Sequence, residues 1–277
     1  MRVPLTHART SHACACPHTS PFQELAALRS DYIHIDHLAF ALPFFTYGPY
    51  WGYHRFSETH NFDTKAGRPT HLTKRSSTFL PYSDIVPQSS QTLNDTFPTL
   101  YDKLLTGLAT TLNTTRDKIS PIEGMSLPGF HVIPSHRAWT QPLFRFHYDE
   151  MLETVIEEAF IPNKARLKKS DGEEISYHLC EGSSRISFTL PLALPTNSSG
   201  LNYVDYSDHG GKECEGESNA HKCNTLKRQV YTPGELVIHA GTLIHSIGEW
   251  EYGGSQKDRI TMQGFGLRCG GEWFIYW

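Results

Sequence analysis

Five residues in the C-terminal half of the chain have the types and spacing that metal chemistry requires. His147 and Asp149 lie two positions apart in the segment FRFHYDE, and His245, Arg259 and Thr261 follow much later. Residues i and i+2 of a strand point to the same face, so one imidazole and one carboxylate can meet a single metal ion. A second imidazole from a distant strand, His245, would complete a set of two histidines and one carboxylate. Such a set leaves open metal positions and suits non-haem Fe(II) acting on oxygen.

Three arginines are candidates for holding an acidic group near that metal. Arg259 follows His245 by fourteen residues, and its planar guanidinium can grip a carboxylate through two parallel hydrogen bonds. Arg145 has the same strand parity as His147, which would let it reach the pocket. Arg185 lies in an apolar strand, where a charge needs a partner. That partner is either the substrate, a co-substrate or an acidic neighbour.

Each of these residues also has a plainer interpretation. With 16 histidines and 29 acidic residues in the chain, roughly two His-x-acid pairs arise by chance. The second pair, His34 and Asp36, precedes the run of strands and is interpreted as solvated or locally bonded. His239 is the rival of His245 as the distant histidine, and a surface salt bridge is the alternative for Arg259.

Several segments together resemble the Fe(II)- and 2-oxoglutarate-dependent dioxygenase superfamily. They are 146–149, 185–192, 200–203, 233–241, His245 and 259–261, which cover about the C-terminal half of the chain. The resemblance implies a double-stranded β-helix, which is a jelly roll similar to that of cupins. It also implies that His147, Asp149 and His245 bind Fe(II), while Arg259, with Thr261 beside it, holds the distal carboxylate of 2-oxoglutarate.

The same resemblance implies a reaction. The expected activity is oxidation of a small molecule with O2, releasing succinate and CO2, with hydroxylation as the default and desaturation or ring closure as variants. The carboxylate at position 149 argues against the halogenating branch of the family, where a small residue opens a site for halide. The rival interpretations are a cupin-like metal-binding protein, a dioxygenase that needs no 2-oxoglutarate, and a protein hydroxylase.

Composition restricts the class of protein further. Of 277 residues, 38% are apolar and 19% charged, which is typical of a folded domain. The net charge of −4 comes with no concentrated basic patch, so no nucleic acid is expected as a partner. No apolar stretch reaches the length of a membrane span, and no signal peptide is evident, so a cytoplasmic location is expected. In that setting Cys180, Cys214, Cys223 and Cys269 are expected to be thiols. The oligomeric state is left open.

The pattern along the chain predicts a mainly β fold with flanking helices. Residues 1–21 are expected to be a disordered tail, and residues 22–277 a single oxygenase domain. Within it, 22–120 carries N-terminal helices at 21–34 and 91–112 and an aromatic stretch at 40–62, and 121–277 forms the jelly-roll core. The aromatic stretch is either extra core packed over the barrel mouth or a lid over the substrate. Many short strands separated by turns favour a sandwich or barrel.

Overall fold

The structure is a computed structural model that describes residues 6–8, 33–37, 42–48, 82–133, 149, 166–176, 180–195, 200–204, 226–248 and 258–277. Within these residues the strands are β1 (Thr6–Ala8), β2 (Ile33–His37), β3 (Leu42–Tyr47), β4 (Ile119–Pro121), β5 (Gly129–Ile133), β6 (Leu167–Lys168), β7 (Glu174–Ile175), β8 (Cys180–Ala193), β9 (Leu201–Val204), β10 (Leu226–Gln229), β11 (Leu236–Ala240), β12 (His245–Ile247), β13 (Arg259–Cys269) and β14 (Glu272–Tyr276). The helices are α1 (Tyr82–Thr96) and α2 (Pro98–Thr111), followed by a 3-10 turn at Arg116–Lys118.

Two antiparallel sheets form the body of the fold. The large sheet has the strand order β1-β11-β8-β13-β5-β3-β2, with β14 paired to β13 and β4 paired in parallel to β14. The small sheet has the order β10-β9-β12. From β8 the chain passes to the small sheet at β9 and β10, returns at β11, crosses again at β12 and returns at β13. This winding is that of a jelly roll, and the expected double-stranded β-helix fold is confirmed.

The large sheet has one apolar face and one polar face, because side chains alternate along each strand. Ile186 and Phe188 of β8 are fully buried and belong to the same apolar cluster as Leu104 and Leu108 of α2. The residues that alternate with them along the strand, Ser187 and Thr189, are buried and polar. Helix α2 therefore covers the apolar face of the large sheet. The opposite face is polar, and we call it the inward face.

Strand register brings further polar residues onto that inward face. Ser187 lies opposite His239 of β11, Thr189 lies opposite Gln263 of β13, and Thr261 lies opposite His131 of β5. Residues directly opposite one another in an antiparallel pair share a face. All of these side chains except Gln263, which is half-buried, are buried. The inward face is thus a buried polar surface, and it is where chemistry can take place.

The helix expected at 91–112 is instead two helices, and this prediction was wrong in two respects. α1 begins at Tyr82, in a stretch expected to be loop, and it ends at Thr96. α2 begins at Pro98, whose missing N–H and fixed φ suit the first position of a helix better than an interior one. The proline therefore starts a second helix where the apolar periodicity alone had suggested one continuous helix.

The N-terminal region contains strands where the sequence predicted none. Thr6–Ala8 pair with β11, so the prediction of a disordered tail is wrong for these three residues. β2 overlaps the end of the helix expected at 21–34, and that prediction is wrong at Ile33 and His34. Part of the aromatic stretch, Leu42–Tyr47, is a strand paired to β2 and β5, and Tyr47 is buried. The rest of 40–62 beyond Gly48 lies outside the described residues.

The expectation of free thiols is wrong for two cysteines. Cys180 at the start of β8 and Cys269 at the end of β13 form a disulfide across paired strands. Cys214 and Cys223 lie outside the described residues. The bond joins two central strands of the large sheet at the end remote from Arg259. Among the described helices, neither is long and apolar enough to cross a membrane.

Candidate metal centre and anion pocket

Three potential metal ligands meet between the two sheets. Asp149, His239 and His245 each offer one ligand atom, and these atoms all lie within 4.8 Å of one another. His245 Nε2 is 3.9 Å from Asp149 Oδ2, and the rings of His239 and His245 have centroids 4.7 Å apart. Both histidines are buried. Two imidazoles and one carboxylate are a donor set that suits a divalent transition metal such as Fe(II).

Hydrogen bonds fix both imidazoles in the tautomer that a metal needs. His239 Nδ1 is 2.9 Å from the carbonyl oxygen of Ala240, and His245 Nδ1 is 2.8 Å from that of Leu243. A carbonyl oxygen can only accept, so Nδ1 carries the proton in each ring. In the neutral ring Nε2 then carries the lone pair. Fixing a histidine ligand through its other nitrogen in this way orients the ring and raises its basicity.

Asp149 is held by both backbone and side-chain contacts. Its N–H donates to the carbonyl of Gly241 at 3.1 Å, and the N–H of Gly241 donates to the carbonyl of Arg185 at 3.1 Å. The hydroxyl of Ser187 donates to Asp149 Oδ2. Because Ser187 lies opposite His239 in the β8–β11 pair, the same register places the carboxylate beside both histidines.

The predicted triad is only partly visible. The structure brings Asp149 and His245 close together, whereas His147 lies outside the described residues. The role of all three as metal ligands stays a prediction. The structure also adds His239, which the sequence had suggested only as a rival to His245. The turn at Gly241 and Thr242 between β11 and β12 reverses the chain, so that both histidines reach the same space. Their six-residue spacing alone could not show this.

Arg259 forms a second feature of the inward face. It is 1% exposed, and its Nη1 donates to the carbonyl of Gly200 at 3.3 Å, a long hydrogen bond. Its guanidinium carbon lies 5.3 Å from the ring centroid of Tyr231. Its Nε has no hydrogen-bond partner, and no acidic side chain in the described part of the chain pairs with it. Burial lowers the pKa of Arg259, and the neighbouring Tyr231 only partly opposes this shift.

An arginine buried in this way requires an anion. Burying a guanidinium without a carboxylate partner costs several kcal/mol, and one carbonyl and one aromatic ring offset only part of that. Thr261 lies two residues further on the same strand face and is 1% exposed. It accepts a hydrogen bond from Gln263 Nε2 at 3.1 Å, which leaves its own hydroxyl proton to be donated elsewhere. The expected pair of Arg259 and Thr261 is thus suited to a carboxylate.

His131 adds no competing charge to this pocket. Burial and the positive charge of Arg259 lower its pKa to about 3, although a hydrogen bond with Gln263 opposes the shift. It is therefore neutral at ordinary pH. Tyr231 also stays neutral, because burial raises its pKa while Arg259 and a hydrogen bond with Thr189 oppose that shift. The negative charge of Asp149 also raises the pKa of Tyr231, so the phenol is electrostatically coupled to both Arg259 and Asp149.

Two further arginines, Arg185 and Arg145, are predicted to contact the substrate or the co-substrate. Arg185 lies on β8 with the strand parity of Ser187, is half-buried, and contributes its carbonyl to the turn that holds Asp149. Arg145 lies outside the described residues. Both stay predictions as substrate or co-substrate contacts.

Comparison with solved structures gives several similar chains of low identity. An N-substituted L-amino acid dioxygenase from Burkholderia ambifaria is 13% identical, with 99% of this chain and 98% of that chain covered at a TM-score of 0.41. The non-heme α-ketoglutarate-dependent epimerase SnoN from nogalamycin biosynthesis is 11% identical, with 96% and 79% covered and a TM-score of 0.41. A prolyl-4-hydroxylase from Pseudomonas putida is 10% identical, with 96% and 93% covered and a TM-score of 0.35.

No protein-family model matches the sequence, and no curated protein matches it.

Proposed function

We propose that this chain is an Fe(II)- and 2-oxoglutarate-dependent oxygenase that oxidises a small molecule. The observation that carries the proposal is the buried guanidinium of Arg259, which lacks an acidic partner in the described part of the chain. It lies on the inward face of the large sheet, which also carries His239 of the cluster of two histidines and one carboxylate. A metal site and a separate carboxylate site in one interior are what a bound dicarboxylic 2-oxo acid requires.

The residues present fit the iron. Asp149 and His245 offer an oxygen and a nitrogen 3.9 Å apart, and His147, two residues before Asp149, is the expected third ligand. With iron and 2-oxoglutarate bound, the site would supply the chemistry that inserts one oxygen atom of O2 into a C–H bond and converts 2-oxoglutarate into succinate and CO2. The chain's part is to hold the substrate's reacting carbon near the metal and to exclude water.

The distal carboxylate of 2-oxoglutarate would lie at β13. Arg259 would pair with the distal carboxylate, and Thr261 would donate its hydroxyl proton to the same group. The ring of Tyr231 lies against the guanidinium of Arg259, and its neutral phenol would add no charge that repels the carboxylate. The pocket would thus select a dicarboxylate over a 2-oxo acid that carries a single carboxylate.

The rival functions make different predictions about Arg259 and about the substrate. A cupin-like metal-binding protein, or a dioxygenase that needs no 2-oxoglutarate, has no use for a buried guanidinium without an acidic partner. A protein hydroxylase would use the same iron site and differ only in substrate. Arg145 and Arg185 are the residues we propose as contacts to a small acidic substrate or to the co-substrate.

The testing experiment is an anaerobic titration of the purified apo-protein with Fe(II) and then with 2-oxoglutarate. A weak visible absorption band should appear only when the 2-oxo acid chelates the bound iron. Succinate, which has both carboxylates but no oxo group, is the matched control and should give no band. Iron that binds without producing a band would refute the proposal and favour the cupin-like alternative.

Two further measurements complete the test. His147→Ala should abolish stoichiometric Fe(II) binding, and retained binding would remove His147 from the ligand set. Succinate release in the presence of small molecules, compared with release in the presence of peptides, separates a small-molecule oxygenase from a protein hydroxylase.

A further inference from the structure

We propose that His239 is a direct ligand of the metal, through Nε2, alongside Asp149 and His245. The inference rests on the proposed function, since it concerns the same metal. It goes further because the imidazole comes from β11, on the large sheet, whereas His245 comes from β12, on the small sheet. The metal would then bridge the two sheets of the fold.

The distances suit a shared ion. Two donors bound to one ion lie about 3 to 4.2 Å apart when each bond is about 2.1 Å long. The 3.9 Å between His245 Nε2 and Asp149 Oδ2 falls in this range. The limit of 4.8 Å for any pair in the cluster is slightly larger, and metal binding would draw the donors closer together.

The hydrogen bonds already orient His239 for this role. Its Nδ1–H donates to the carbonyl of Ala240, so the lone pair is at Nε2, as in His245. Three electron-pair donors, two ring nitrogens and a carboxylate oxygen, therefore converge in a space from which water is largely excluded. A divalent cation placed among these donors would be attracted to all three.

The register explains why His239 is held at that point. It lies opposite Ser187, whose hydroxyl donates to Asp149, so one cross-strand pair supports the carboxylate and supplies an imidazole. The side chain of His239 is 3% exposed, and a buried histidine that served only packing could be replaced by another ring of similar size. A ligand could not be replaced in that way.

Cobalt(II) is the probe for the test, because its visible absorption reports the number and type of its ligands. The full-length apo-protein is titrated with Co(II) without 2-oxoglutarate, and affinity is measured by competition with a chelator. Losing a residue that only supports a ligand weakens metal binding about 10- to 100-fold. We therefore expect His239→Gln to weaken Co(II) binding more than about 100-fold and to change the visible spectrum.

The matched control is His131→Gln. His131 is a buried histidine on the same inward face, but it lies on β5, three strands away from β11 in the large sheet. Its replacement should leave Co(II) affinity within about threefold of wild type. If His239→Gln also stays within threefold while His245→Gln loses binding, His239 is not a ligand.

A second variant gives a positive signal even if His239→Gln folds poorly. His239→Cys puts a thiolate at the same point, and a thiolate bound to Co(II) adds an intense near-ultraviolet charge-transfer band. The band should exceed that of wild type and of His131→Cys, because only position 239 reaches the metal. Its absence, even with binding weakened 10- to 100-fold, would show that His239 only supports the other ligands and would overturn the proposal.

Failure of this inference can be told from failure of the proposed function. If wild-type protein gives the 2-oxoglutarate band with Fe(II) and His239→Gln gives it at unchanged metal affinity, only the role of His239 is refuted. If the wild type binds neither Co(II) nor Fe(II), both are refuted.

Discussion

Replacing Arg259 by methionine tests whether this arginine serves ligand binding or the stability of the fold. Methionine preserves the length of the apolar stem and removes the charge. In the protein without co-substrate, the substitution removes one 3.3 Å hydrogen bond to Gly200 and the contact with Tyr231. Each contributes about 1 kcal/mol, while removing a buried charge gives back part of its desolvation cost. We expect the free energy of unfolding of the apo-protein to change by no more than about 1 kcal/mol, or to rise.

Binding of 2-oxoglutarate should behave in the opposite way. Truncating one member of a buried, hydrogen-bonded charge pair costs about 2–5 kcal/mol, which corresponds to roughly thirtyfold to several thousandfold weaker binding. A 2-oxo acid without the distal carboxylate, such as 2-oxobutyrate, should bind the wild type more weakly by a similar factor. Arg259→Met should lose this discrimination, because the group that recognises the second carboxylate is gone.

The assay combines denaturant unfolding of the apo-protein with anaerobic titration of the Fe(II) protein by each acid. Arg268→Met is the matched control, with the same substitution at the other end of β13, and it should leave affinity for 2-oxoglutarate unchanged. The reasoning is refuted if Arg259→Met lowers the free energy of unfolding by about 3–5 kcal/mol, as the loss of a buried structural ion pair would. It is equally refuted if affinity for 2-oxoglutarate stays within threefold.

Three other predictions concern the support of the site and of the fold. Ser187→Ala should weaken Co(II) binding about 10- to 100-fold by releasing Asp149, and unchanged affinity in a chelator competition would contradict this. The pKa of His131 is lowered from 6.5 to about 3 in the folded protein. Between about pH 6.5 and pH 3 this histidine is therefore protonated in the unfolded chain and neutral in the folded one, so the free energy of unfolding decreases as the pH falls through that range. At pH 5 the penalty is about 2 kcal/mol, and denaturant unfolding of His131→Gln at pH 5 and 7 should show less of this loss than wild type. Cys180→Ser should lower the free energy of unfolding by about 4–5 kcal/mol, because the disulfide with Cys269 closes a loop of 89 residues, and equal stability of oxidised wild type and variant would refute it.

Much of the core could be predicted because its signals are local. The segments 185–192, 236–239 and 259–267 are rich in apolar residues and are separated by turns, and all three lie within strands of the large sheet. The failures have a different origin. The split between α1 and α2 depends on the preference of Pro98 for a helix start, which competes with an apolar periodicity that continues across it. β1 and β2 are strands because they pair with β11 and β3. Pairing between segments that are distant in sequence cannot be recognised from the local sequence pattern.

In the candidate site, too, features that depend on local sequence were predicted, and features that depend on tertiary pairing were not. Asp149 and His245 were expected to lie together because the resemblance to the dioxygenase superfamily implies both as ligands, whereas strand parity linked only His147 and Asp149. His239 could not be assigned in the same way, because its position depends on the turn between β11 and β12 and on the register with Ser187. The disulfide between Cys180 and Cys269 escaped prediction for a related reason. The cysteines are 89 residues apart, and only the pairing of β8 with β13 brings them together.

The number of protein ligands decides how this metal could work. Asp149, His239 and His245 would supply three donors to the metal, and His147 would supply a fourth if it binds as well. His239 lies on a different sheet from His245, so it could be lost while the other donors stay in place. If His239 is a donor, the visible spectrum of the Co(II) protein should differ between wild type and His239→Gln before 2-oxoglutarate is added. Identical spectra would leave His147 as the second histidine ligand beside His245.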